Sequence, residues 1–205
     1  MIKFGLRWFF VASLFYPFQS FATGGVGIEG GGHAVLCSYD LSSKQFYSVQ
    51  LLDLYEVRSR DQRLRNYSEE SDSRYWEIPH YLCKRLFERK QKAILAFGNN
   101  NITAGAFDKA CELVDSIELV SNVNPTYDFG SLRTALPINC ELLQVADYVR
   151  TASSETVYLD QDYASYLSDE DLAALLLHEA LHSYMSGEST IKIREYVSRV
   201  FSLDQ

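Results

Sequence analysis

Apolar residues fall on nearly every face of one stretch near the C-terminus: Leu172, Ala173, Ala174, Leu175, Leu176, Leu177, Ala180 and Leu181. A helix that is apolar all round is a buried one, so residues 168–185 predict a helix inside the core. Ser168 supplies an N-cap with Asp171 three residues on, and acidic residues 169–171 complement the positive helix end. Gly187 suits the stop. A second helix follows over 190–202, with Ile193, Val197 and Val200 on its apolar face. Upstream, residues 78–97 predict a long helix with Pro79 in its first turn and Ile78, Tyr81, Leu82, Leu86 and Ile94 along one face. Leu51, Leu54, Tyr55 and Leu64 form a shorter stripe, with Asp and Arg opposite. Strands are predicted at 34–39, from the alternation that opens "QFYSVQ", in "CELLQVADYV" and in "ETVYLDQDY". Residues 106–121 fit helix or strand equally. The pattern predicts a small mixed α+β domain: a few strands and a C-terminal helix pair.

The chain has 205 residues, which suits one domain. Its first 22 carry Lys3 and Arg7, an apolar run from Trp8 to Phe18 and a Ser-Phe-Ala ending. That is the layout of a secretory signal peptide, leaving 23–205 as a single exported domain, periplasmic or secreted. No later apolar run is long enough to cross a bilayer. Removing the signal takes away those two cations and no acid, so the formal charge of −8 becomes more negative still. An acidic chain is a poor partner for nucleic acid or an anionic membrane. Export makes disulfides possible for Cys37, Cys83, Cys111 and Cys140, in any of three connectivities, and buried thiols are the other reading. The glycine-rich start at 23–32 matches no phosphate-binding spacing, and His33 reads as a polar loop residue.

The buried helix also contains "HEALH". Residues four apart share a helix face, so His178 and His182 project side by side and can bind one zinc ion. Glu179 lies beside them, placed to act as general base on a metal-bound water. Burying two imidazoles and a carboxylate among leucines is costly without partners; a metal supplies them, and so would hydrogen bonds to other side chains. The next helix returns antiparallel after a turn near 186–188. That brings Glu195 opposite His178 or Glu179 as the expected third ligand. Arg194 and Arg199 compete for Glu195 as salt-bridge partners, and Glu188 is a rival carboxylate in the turn.

Residues 168–200 resemble the active-site helix pair of zincin metallopeptidases of the gluzincin type, whose third ligand is a glutamate on the following helix. The resemblance implies zinc on His178, His182 and Glu195, with Glu179 as the catalytic base. It also implies a substrate rim on an upstream strand, here residues 155–162. The fold would be a minimal zincin-like one, since no large second lobe follows. The chain is also similar, more loosely, to small exported bacterial proteins of unassigned function with a Gly-rich start, a strand ending in Cys and a terminal "HEAL" helix. The expectation is an exported zinc metallopeptidase acting on a peptide or protein substrate. The alternative is a non-catalytic exported protein that binds a partner and keeps the motif in a vestigial or structural role.

Overall fold

A computed structural model describes residues 32–40, 45–60, 79–123, 132, 135–151, 153–185 and 187–203. Residues 1–22, expected to be the signal peptide, lie outside the described residues, as does Leu64.

The described residues form six helices and two three-stranded sheets, a mixed α+β fold as expected. Strand β1 (His33–Asp40) sits between β2 (Gln45–Leu51) and β4 (Cys140–Gln144), both antiparallel to it. In the second sheet, β6 (Glu155–Asp160) is central. It pairs parallel with β3 (Ile117–Val120) and antiparallel with β5 (Ala146–Arg150). The helices are α1 (Leu52–Arg60), α2 (Pro79–Phe97), α3 (Asn101–Val114), α4 (Gln161–Ala164), α5 (Asp169–Tyr184) and α6 (Thr190–Phe201).

Helix α5 is the centre of the molecule. It packs against α1, α2, α3, α6 and β2, and its residues 171–182 are all buried. Full burial of a leucine is worth roughly 1.5–3 kcal/mol, and Leu172, Leu175, Leu176, Leu177 and Leu181 are all buried here. Its start is capped as predicted: the Ser168 side chain accepts from the Asp171 backbone N–H. Its end passes into Gly187, whose φ of 89° favours glycine. The Asp171 carboxylate accepts from the Ser168 hydroxyl and also reaches beyond the cap. It accepts from the Leu51 backbone N–H at 3.0 Å and from Arg58 at 3.2 Å, tying α1 to the start of α5.

Three sequence expectations change. "CELLQVADYV" is two strands, not one: the chain leaves the first sheet at Gln144 and enters the second at Ala146. The Gly32 carbonyl accepts from both Val145 N–H and Ala146 N–H at this crossing. The ambiguous 106–121 stretch holds the end of α3 and all of β3. His33 is the buried first residue of β1, not a loop residue.

The cysteines form two bridges, Cys37–Cys140 across β1 and β4, and Cys83–Cys111 between α2 and α3. Among the described residues no helix is long and apolar enough to cross a membrane. The bridges close spans of 103 and 28 residues. A longer closed loop restricts the unfolded chain more. Replacing the Cys37–Cys140 pair by serine should therefore cost about 1 kcal/mol more than replacing Cys83–Cys111. Denaturant unfolding of the two double variants measures the difference; an equal cost would contradict it.

Candidate functional site

Helix spacing brings His178 and His182 together as expected. Their rings lie 5.1 Å apart between centroids, and the two Nε2 atoms are 3.2 Å apart. Glu179 sits on the same buried helix. His178 is 3% exposed, Glu179 0% and His182 7%, so the three polar groups lie within the protein.

The partner of His178 comes from α1. Asp53 Oδ2 is 2.7 Å from His178 Nδ1, and Asp53 is itself 2% exposed. Sequence periodicity put the Asp and Arg of this helix opposite its apolar stripe. The structure buries Asp53, Glu56 and Arg58 instead. Helix α1 follows β2 without a loop and contacts both α5 and α6, so its polar side faces protein. Arg58 meets Asp171 and Glu170 on α5. Glu56 meets Arg194 on α6 at 2.5 Å. The Asp53 carbonyl accepts from the Ser198 hydroxyl at 2.6 Å.

The expected third ligand is not among these groups. Glu195 is exposed and lines a groove of about 600 Å³ with Glu56, Phe97 and Arg199. The residue that α6 turns inward is its neighbour Arg194, whose Nε lies 3.9 Å from Asp53 Oδ1. The reason is helical: Ile193 and Val197 are buried, and a position two residues from each lies about 200° around the helix. Glu188 is exposed and pairs with Lys192 at 2.5 Å. The expected rim strand is corrected too. β6 is bonded on both sides, so it has no free edge for a substrate chain.

Two bonds of about 2.0–2.1 Å meeting at a tetrahedral angle hold their donor atoms about 3.3 Å apart. The observed Nε2 separation matches that. It equally suits one N–H···N hydrogen bond. The Asp53 bond takes Nδ1 of His178 and leaves Nε2 as the nitrogen that faces His182. Neither oxygen of the Glu179 carboxyl has a hydrogen-bond partner among the described residues. The backbone of Gly32 lies against it: a Cβ there would be 3.5 Å from Glu179 Oε1 and 2.0 Å from Leu175 Cδ1, so a side chain at this position would have to displace Leu175. The donor set thus fits a cation at two corners. Among the described residues no group of three or more His, Cys, Asp or Glu is arranged to hold a metal.

Burial pushes the Glu179 carboxyl up to about 8; His178 opposes this, while Asp53 and Asp147 add to it. Burial, reinforced by His178, brings His182 down to about 3. For His178 burial works against the charged ring, but the Asp53 carboxylate outweighs it and the net shift is upward.

Comparison of the chain with protein-family models, curated proteins and solved structures gives no match. The resemblance to zincins rests on the motif alone.

The raised Glu179 carboxyl has a thermodynamic consequence. Above 4.5 the unfolded chain releases this proton, whereas the folded protein keeps it until about 8. The unfolded state then binds fewer protons, so stability falls as pH rises through that window. In chelator, Glu179→Gln should flatten the loss of stability between about pH 5 and pH 8. Thermal unfolding across that range measures it; an unchanged slope in the variant would contradict it.

Proposed function

We propose that the protein is an exported zinc-dependent hydrolase of peptide bonds. The observation that carries this reading is the pair of Nε2 atoms 3.2 Å apart on the helix turn that also holds the fully buried Glu179 carboxyl. His178 and His182 would hold the ion through those nitrogens. Bound zinc supplies Lewis acidity and a water of lowered pKa. Glu179 would take a proton from that water's position and return it to the leaving amine. Asp53 holds the His178 ring. Glu195, exposed on the outer face of α6, is not in the proposed donor set. The two disulfides fit an oxidising compartment, and the N-terminal 22 residues supply the route to it. The acidic charge argues for a peptide or protein substrate over nucleic acid.

A non-catalytic exported protein is the second reading. One observation favours it: with all three side chains buried, the histidine contact is complete as a hydrogen bond.

The test is zinc content and peptide hydrolysis of protein purified after export without chelator. The first reading expects about one zinc per chain, lost in His178→Ala and in His182→Ala. Glu179→Gln should keep the zinc and lose hydrolysis by at least about a hundredfold, and Glu195→Ala should keep the zinc. A chain that stays folded, takes up no zinc on addition and cleaves no peptide would replace it with the second reading.

A further inference from the structure

The site contains more built structure than the motif accounts for. Asp53 reaches His178 across 125 residues of sequence, and it is held at three points. Its carbonyl accepts from Ser198 on α6, its Oδ2 meets His178 on α5, and its Oδ1 faces Arg194 at 3.9 Å. Arg194 in turn forms an ion pair with Glu56. Asp53 and Glu56 are three residues apart and share one face of α1. One buried guanidinium therefore serves two buried carboxylates. The result is a continuous chain of contacts: Glu56, Arg194, Asp53, His178, His182.

We propose that Asp53 is a positioning residue of the site and that Arg194 holds it in place. This rests on the metal-site reading given above for its functional consequence; the hydrogen bond itself does not. An imidazole bonded through Nδ1–H to a carboxylate has its ring orientation fixed and its Nε2 made more basic. Here that directs the His178 Nε2 lone pair at the point where the His182 Nε2 also converges. Arg194 sets the other side of the carboxylate. Its planar fork spans both acids, which a lysine ammonium does not do. The position expected to donate a ligand from α6 thus donates a support one residue earlier.

A purely packing role for Asp53 would leave the ring nitrogens and the metal affinity unaffected once the fold is kept. The experiment uses nitrogen-15 histidine NMR on the metal-free protein, followed by zinc titration against a chelator, for the wild type, Asp53→Asn and Arg194→Lys. The wild type should show a downfield, slowly exchanging His178 Nδ1–H proton, identified by its absence in His178→Ala. Asp53→Asn should move it upfield or speed its exchange, and should weaken zinc binding by about 10- to 100-fold. Arg194→Lys should weaken zinc several-fold while keeping that proton. If Asp53→Asn does not fold, the Arg194→Lys titration decides, and an unchanged zinc affinity there overturns the proposal. Unchanged proton and unchanged affinity in a folded Asp53→Asn also overturn it. A wild type that shows the proton but binds no zinc keeps Asp53 as the residue fixing the ring and removes the metal reading instead.

Discussion

Two imidazoles and a carboxyl are buried within two turns of one leucine-rich helix, and everything around them answers that constraint. Isolated polar groups in such a place cost several kcal/mol each. The apolar burial of α5 is of order ten kcal/mol across its leucines, enough to tolerate some of that cost but not to make it irrelevant. Asp53 meets the first histidine, the first histidine meets the second, and Arg194 balances the acids behind them. Neither oxygen of Glu179 has a hydrogen bond among the described residues. Glu179 is also the residue to which the HExxH pattern assigns proton transfer.

The rest of the fold positions that cluster. Helix α1 starts one residue after β2 ends, which fixes Asp53 close to the first sheet. Asp171 and Arg58 then pin α1 to the start of α5. On the other side, the Gly32 carbonyl joins the two sheets where β4 gives way to β5, and the same residue's backbone presses on Glu179. The Cys37–Cys140 bridge fastens β1 to the start of β4, at the other end of that strand from this junction. The site therefore lies where α1, α5, α6 and the seam between the sheets meet.

Some of this was legible in the residue pattern and some was not. Helix α5, with its Ser168 cap and its Gly187 stop, followed from local rules and matched closely, as did the histidine pair. Helix α6 matched in extent, yet the Glu195 assignment failed to use the helix's own periodicity: Ile193, Val197 and Val200 already turned Arg194 inward and Glu195 outward. Asp53 was not legible. Its role depends on a contact 125 residues away in sequence, and its own helix carries buried charges on a side that periodicity reads as solvated. The break at Val145 was hidden for a similar reason, since both halves of "CELLQVADYV" have strand character and only the pairing partners differ.

A zinc hydrolase requires the two Nε2 atoms to converge on a metal ion and not merely on each other. Crystals soaked in zinc and measured at the zinc absorption edge test it directly. A zinc site gives one anomalous peak within bonding distance of both nitrogens, with the Asp53–His178 hydrogen bond intact. An absence of density there, with the rings still in direct contact and zinc bound elsewhere or not at all, would contradict it.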